Sequence, residues 1–453
     1  MSNYIASIDV GTTNIKINLF DSDYQVIDVV KTSHLKIHHT DERFEMDLEE
    51  IWGNIVTGLK GLIQDHSLNK LEVVLTTAMH SVQLMNPDYS LKGGLIVWAD
   101  KRGATAIERL DEQELAAQYY RTGTPIHSMN PYFKLLALKK EIEANQLIGS
   151  LKDIIFYRLT GEWAIDISNA SSSGLLNLEN MNWDAQSLNK VGISNKQLPQ
   201  IKATSYIRNA SVALFNLEMP VYIGTSDGVS SNYVFKDLAQ TAVLSVGTSH
   251  AVRVISSNIQ LNKTCQNFAY AIDETSYLIG LPSNNGADVL LWANKIFNST
   301  FEELNQIVKK RPLTQSVFIP YLNGERAPIW NEFATSSLSD LTRVSTRESV
   351  LFAIVLGMIF NIKHNVRELS QMVEFDRIGL VGGVTELDAF PQLIADILGY
   401  KLFIPTMQNA ETLGSIRVVK TDKFQSEYQV IQPAENAHYD SLFEKYLQAV
   451  EVC

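Results

Sequence analysis

Apolar and polar positions alternate along "SIDVGTTNIKINLF" (residues 7–20), on both sides of a Gly-Thr-Thr turn. Alternation predicts half-buried strands, so this stretch reads as a hairpin whose first strand ends on Asp9. "LEVVLTTAMH" (71–80) is another β-rich run, and "VYIGTSDGVSSNYV" (221–234) is a short apolar strand leading through Asp227 into a small-residue segment. The period changes in "DLEEIWGNIVTGLKGLI" (47–63), where Ile51, Ile55, Leu59 and Leu62 share one helical face. Asp47 and Glu50 take the N-cap and N3 positions there, a capping-box pattern that explains the acidic cluster of "DERFEMDLEE" without a metal. The longest apolar run, "VLFAIVLGMIF" (350–360), falls short of the roughly 20 residues that span a bilayer and predicts a buried helix. Strands and helices alternate throughout, which predicts an α/β chain.

A repeat organises these elements. "AVLSVGTSHAVRVI" (242–255) has the strand, Gly-Thr turn and strand grammar of the opening stretch, and Gly247 lies 236 residues beyond Gly11. A period of half the chain is too long for a solenoid and predicts two related domains, 1–240 and 241–453, facing across a cleft. The length of 453 residues independently favours two domains.

Composition narrows the function. With 45% hydrophobic and 19% charged residues, 24 Gly and 12 Pro, the chain fits a globular enzyme. The net charge of −12 disfavours nonspecific binding to nucleic acid or to an anionic membrane, although a local pocket can still hold an anion. Cys265 and Cys453 are far apart and imply neither a disulfide framework nor a thiolate zinc site. The N-terminus lacks the pattern of a secretory signal, so a reducing, cytoplasmic setting is expected.

Two Gly-Thr turns are the main chemical clue. Glycine lets backbone N–H groups approach an anion, and the hydroxyls add donors, so paired turns suit the two sides of a polyphosphate. Asp9 would then serve the accompanying magnesium as a hard oxygen ligand, and Lys16 across the hairpin would neutralise phosphate charge. Asp227 reads either as a helix N-cap or as the base that takes a proton from an attacking hydroxyl in phosphoryl transfer. No GxxxxGK[ST] loop is present. His34, His38 and His39 lack partner ligands nearby and read as a solvated strand edge or loop.

In order along the chain stand "DVGTT" (9–13), "AMHSV" (78–82), "WADKR" (98–102), "RTGTPIHSMNPYFK" (121–134), "SDGVSSN" (226–232), "SVGTS" (245–249), "NNGADVLLW" (284–292), "PYLNGERAPIW" (320–330) and "VGGV" (381–384). Together they resemble the FGGY family of carbohydrate kinases, within the actin-like ATPase superfamily, and most of all its gluconate kinases. The resemblance implies two actin-like ATPase (ribonuclease H-like) domains and transfer of the γ-phosphoryl group of ATP, with Mg2+, to the terminal hydroxyl of gluconate. It implies that Asp227 is the catalytic base and Asp9 the magnesium-associated aspartate, with Asp227 also near the metal. Gly11, Thr12 and Thr13 match the first phosphate motif, Gly247 and Thr248 the second, and Gly382 and Gly383 the glycine pair beside the nucleotide. Met79, His80, Trp98 and Asp100 fall on sugar-side segments. A sugar carboxylate would need a basic group, and Arg326, Lys134, Lys101 and Arg102 all qualify. Trp98 and His80 also read as core residues, and Arg326 with Glu325 as a structural ion pair.

Several positions depart from the family pattern. Leu387 stands where a small or amide residue is usual, His250 where a small one is usual, Asp340 where glycine is frequent, and Leu356 where an acidic residue is frequent. The last reads as altered packing, and Leu387 leaves nucleotide preference open. Another FGGY sugar kinase acting on xylulose or a second pentulose, and a non-catalytic sugar- and nucleotide-binding regulator, remain as alternatives. The expected partners are a sugar acid or polyol and ATP, with no nucleic acid and no membrane; self-association as a homodimer is left open.

Overall fold

The computed structural model describes residues 4–40, 42–407, 410–420, 426–434 and 437–451. Cys265 is a buried free thiol, and Cys453 lies outside the described residues.

The two largest sheets, of six and seven strands, repeat one plan. In the first, Tyr4–Val10, Asn14–Phe20 and Val26–Ser33 form an antiparallel meander, and Leu71–Thr77 and then Pro220–Ser226 add in parallel beside Tyr4–Val10. In the second, Thr241–Val246, His250–Ser256 and Tyr277–Ser283 form the meander, and Arg377–Val381 and Lys401–Pro405 add in parallel beside Thr241–Val246. This is the ribonuclease H-like arrangement of actin-like ATPases, and it occurs twice. The repeat seen in the sequence is therefore a repeat of sheets, and each Gly-Thr turn closes the first hairpin of its own sheet.

Parallel strands need helices on both faces, which explains why Leu71–Thr77 is buried along its length instead of alternating. Helix Leu48–Asp65 covers one face of the first sheet with Ile51, Ile55, Leu59 and Leu62, the predicted stripe. Asp47 caps it by accepting from the amides of Glu49 and Glu50. The capping box is only half formed, because the Glu50 carboxylate turns away to the backbone amides of Leu35 (2.9 Å) and Lys36 (2.8 Å). Those two amides leave the third strand without a sheet partner, and a nearby carboxylate satisfies both.

The other face is covered from far along the chain. Helix Ala410–Val419 places Leu413 and Ile416 against Ile5, Phe20 and Val74, and its Ser415 hydroxyl lies 2.8 Å from that of Ser7. Short helix Asp227–Tyr233 packs on helix Ala410–Val419 and touches strands of both sheets, so it links the two. Helix Arg347–Ser370 contains the apolar run at 350–360; it is long and apolar enough to cross a membrane, yet 83% of its most apolar window is buried within the fold. Leu356 is 1% exposed there, so the departure from the family pattern is a packing change. Asp340 has φ 58°, a left-handed conformation that explains why glycine is frequent at that place.

Candidate active site

The first turn is held from behind. Strand pairing sets Asp9 opposite Lys16, and the Gly11 amide donates to the Asn14 carbonyl at 3.0 Å. His34 is buried, contrary to the solvated loop expected of it. Its ring Nε2 lies 2.9 Å from the Gly11 carbonyl and its amide donates to the Thr13 carbonyl at 3.0 Å. The backbone of the turn is thus fixed from outside, leaving Thr12 and Thr13 on its accessible side. His38 and His39 are exposed on strand Ile37–His39, as expected.

The second turn is tied to the helix that follows the "NNGA" loop. Gly247 donates to Ser249 at 2.9 Å, while Gly247 and Thr248 accept from the amides of Ala287 (2.7 Å) and Gly286 (3.0 Å). His250 points into the core, with Nδ1 3.1 Å from the Asn285 carbonyl and Nε2 3.3 Å from Asn365, so its bulk is absorbed by packing. Gly382 has φ 96°, and a Cβ there would run into the carbonyl of Val246, whereas a Cβ on Gly383 would meet open space. Only glycine lets the "VGGV" turn lie against the end of strand Thr241–Val246. Leu387 is half-buried and packs on the core of the second domain.

Asp9 and Asp227 line one cavity of about 30 Å³, together with Thr76, Ser230, Ser231, Glu411 and Thr412. Three elements converge on it: the end of the first strand, the start of the linking helix, and the start of helix Ala410–Val419. The approach of Asp227 depends on a bulge. Gly224 takes φ 70° where the register between Pro220–Ser226 and Leu71–Thr77 shifts, and the Lys152 ammonium pins the site by donating to the carbonyls of Leu75, Ile223 and Thr225. Ser226, not Asp227, occupies the N-cap position; Asp227 turns one oxygen to the Gly228 amide at 2.8 Å and leaves the other toward the cavity side.

Loss of solvation, reinforced by Asp227 and Glu411, pushes the Asp9 carboxyl up to about 7, and Lys16 opposes the rise. Burial also raises Asp227, opposed chiefly by the Arg253 guanidinium. Asp9 Oδ1 is buried without a protein hydrogen-bond partner. A buried, unpaired carboxylate oxygen beside two more carboxylates is the donor set of a hard cation. Among the described residues no three His, Cys, Asp or Glu side chains converge as a self-sufficient metal site, so phosphate oxygens and water would complete such a shell.

The sugar-side segments gather next to this cavity. A Cβ on Gly228 would lie 3.3 Å from Met79 Cε, which puts Met79 beside the residue that follows Asp227. His80 follows in a left-handed turn (φ 67°), with its ring edge-on to Tyr270 at 5.8 Å and Nδ1 held by the Ser172 carbonyl at 2.9 Å. Burial lowers the His80 imidazole to about 3, so it is neutral. Trp98 is half-buried under the Arg326 guanidinium, which sits 5.3 Å from its ring centroid. Asp100 is fully buried and spent. Its oxygens accept from the Phe44 amide (2.8 Å) and from Arg102, so it supports the segment and offers no free carboxylate to a sugar.

The basic candidates separate in the same way. Arg102 is engaged by Asp100 and Glu45. Lys134 is fully buried and donates to the carbonyls of His80, Val97 and Met129, stapling three sugar-side segments. Lys101 is exposed. Arg326 donates one Nη to the Ser283 carbonyl at 2.8 Å and keeps its Nε buried and unpartnered. Glu325 does not pair with that guanidinium through its side chain; it is buried and accepts from Ser283, Asn285, Asn361 and backbone amides. Tyr270, His127, Arg253 and Glu411 join the site without having been singled out in the sequence, although His127 and Arg253 lie inside the quoted stretches at 121–134 and 242–255.

Residues 4–419 match one family in two parts: residues 4–233 match the N-terminal domain and residues 226–419 the C-terminal domain of the FGGY family of carbohydrate kinases. The chain belongs to that family. It is 29% identical to the gluconokinase of Bacillus licheniformis over 92% of this chain and 86% of the relative. Two solved structures from Lactobacillus acidophilus superpose with a TM-score of 0.94 at 27% identity. One is a gluconate kinase covering 100% of this chain and 98% of its own; the other is a ligand-bound xylulose kinase covering 99% and 98%. This FGGY kinase is accordingly a phosphotransferase with an alcohol group as acceptor and ATP as donor.

Proposed function

We propose that this FGGY kinase phosphorylates the terminal hydroxyl of gluconate, giving 6-phosphogluconate. The observation that carries the choice is Arg326, a buried guanidinium laid over Trp98 of a sugar-side segment with an unpartnered Nε. A carboxylate is the substrate group that would repay such a cation, because the pair is charge-assisted and the Trp98 face suits the C–H surface of a polyol. The gluconokinase relative supports the same acceptor.

In this reading Asp227 accepts the proton of the attacking hydroxyl, and the two Gly-Thr turns align the triphosphate from the two sheets. Asp9, with Asp227 nearby, would hold the Mg2+ of MgATP, which would supply neutralisation of the charge spreading over the phosphates. Met79, His80 and Trp98 shape the sugar pocket from residues 1–240, and residues 241–453 supply the nucleotide side through Gly247, Thr248, Gly382 and Gly383. Closure of the domains on both ligands would keep water from competing with the sugar hydroxyl. A cytoplasmic location, where ATP is plentiful, fits this role.

A pentulose such as xylulose is the second reading, favoured by the xylulose kinase that superposes as closely as the gluconate kinase does. Incubating the protein and MgATP with a panel of sugar acids, pentuloses and polyols, with direct detection of the phosphorylated product, decides between them. Gluconate should be preferred over its neutral polyol counterpart, and Arg326→Gln should erase that preference. Equal efficiency for the two acceptors in the unmodified protein would remove the carboxylate clamp and leave the pentulose reading.

A further inference from the structure

Arg253 stands on strand His250–Ser256, immediately after the second Gly-Thr turn, and no motif of the family reading assigned it a role. Its Nη1 donates to the Ser245 hydroxyl at 2.8 Å. Ser245 lies 236 residues beyond Asp9, so it is the second-domain counterpart of that aspartate in the repeated hairpin. The first hairpin opposes a carboxylate, Asp9, with a cation, Lys16. In the second hairpin the carboxylate has become a hydroxyl, its strand partner is Ala251, and the cation stands two residues further along, at Arg253.

What it faces is the base. A Cβ on Gly228, the residue that binds Asp227 through its amide, would lie 3.2 Å from Arg253 Nε, so the guanidinium edge is beside the Asp227 backbone. That Nε–H is buried and has no acceptor among the described residues. A buried N–H without a partner is costly unless a ligand supplies the acceptor. Asp227 and Glu411, the two carboxylates whose charges act on this guanidinium, both lie on the cavity that Asp9 lines. The guanidinium therefore joins the acceptor side of the cavity to the second phosphate turn, where a γ-phosphoryl group must pass.

We propose that Arg253 is a catalytic residue whose Nε–H donates to an equatorial oxygen of the phosphoryl group during transfer. In that step the acceptor oxygen forms a bond to the γ-phosphorus while the bond from γ-phosphorus to the β–γ bridging oxygen breaks. The hydroxyl proton goes to the Asp227 carboxylate, and the electron pair of the broken bond stays on the terminal β-phosphate oxygen of ADP. Negative charge on the three equatorial oxygens is spread through this passage, and a fixed guanidinium placed there needs no rearrangement to stabilise it. The proposal rests on the placement of Asp227 at the transfer site, not on the identity of the sugar.

The test uses the full-length protein with MgATP and its best acceptor. Arg253→Ala should lower kcat by roughly 10²–10³-fold while the KM values for acceptor and ATP change by less than about threefold. Added methylguanidinium should restore part of that turnover by entering the vacated space. A kcat within threefold of the unmodified protein, a loss confined to KM, or a kcat loss that methylguanidinium leaves unchanged would each overturn the proposal. Should the alanine variant fail to fold, Arg253→Lys carries the test: the ammonium can keep the Ser245 contact but cannot present a second N–H in the guanidinium plane, so kcat should fall while the melting temperature and both KM values hold. Asp227→Asn is run in parallel. If that variant keeps its turnover, the placement of the base is at fault; if it is inactive and Arg253→Lys is fully active, the arginine proposal alone fails.

Discussion

Replacing Asp9 with asparagine should make the ligand-free protein more stable above neutral pH while stopping catalysis. The carboxyl rises from 3.8 to about 7 on folding because it loses solvation and meets Asp227 and Glu411. At about 1.36 kcal/mol per pH unit, that rise sets an upper bound of about 4 kcal/mol on the cost of keeping Asp9 ionised in the folded state. The sign follows from proton counts. Between pH 3.8 and about 7 the native state holds a proton on Asp9 that the unfolded chain has released, so this group lowers stability progressively as pH rises through that window. Asparagine is neutral throughout and escapes the penalty. Urea unfolding of the two proteins, followed at pH 4 to 8.5 without ligand, should give nearly coincident midpoints at the acid end and a gap favouring Asp9→Asn that widens up to pH 8. MgATP should then stabilise the unmodified protein more than the variant, because a bound cation compensates the same carboxylate. A gap that is absent at pH 8, or one that does not grow with pH, would refute the placement of Asp9 as a strained, cation-seeking ligand.

Asp227→Asn removes the proton acceptor but keeps the oxygen that binds the Gly228 amide, so kcat should drop by roughly 10²–10⁴-fold with ATP affinity and melting temperature little changed, as read by steady-state kinetics and nucleotide titration. Gly382→Ala forces a Cβ at φ 96° into the Val246 carbonyl; it should cost at least about 2 kcal/mol in stability and raise the KM for ATP more than that for the sugar. Lys134→Met leaves three carbonyls unpaired on three sugar-side segments, which should destabilise the protein by roughly 2–5 kcal/mol and raise the KM for the sugar more than that for ATP.

What could be read in the sequence was the part written locally. Each Gly-Thr turn sits between two alternating strands, so its neighbours along the chain define it, and the 236-residue repeat made the pair visible before either sheet was known. Asp227 and the Gly382–Gly383 pair likewise stand at the ends of short apolar strands. What escaped depends on juxtaposition. His34 looks like a loop residue until the third strand returns it beneath Gly11, and Glu411 reaches the Asp9 cavity from 402 residues away. The basic residues show the complementary difficulty. Sequence displays a charge but not its partners, and Asp100, Arg102 and Lys134 prove to be consumed by internal hydrogen bonds. Arg326 keeps an unpartnered Nε, and that difference is invisible until the acceptors around it are counted.

The duplicated hairpin explains why the two domains do different work although they share a plan. Equivalent places in the two halves, two positions before the turn glycine, hold Asp9 in the first and Ser245 in the second. Under the proposed function, a second carboxylate there would add negative charge to a site that already holds Asp9, Asp227 and Glu411, and would oppose nucleotide binding. Serine at the second position avoids that charge and turns its hydroxyl into an anchor for Arg253. Under the proposed function, the Asp9 cavity would supply the carboxylates that a cation and an acceptor proton require, and the second hairpin would supply a guanidinium and backbone amides for the phosphates. The difference of one side chain at equivalent positions would then give direction to a repeated scaffold, because electrostatics in a partly desolvated site weighs a single charge heavily.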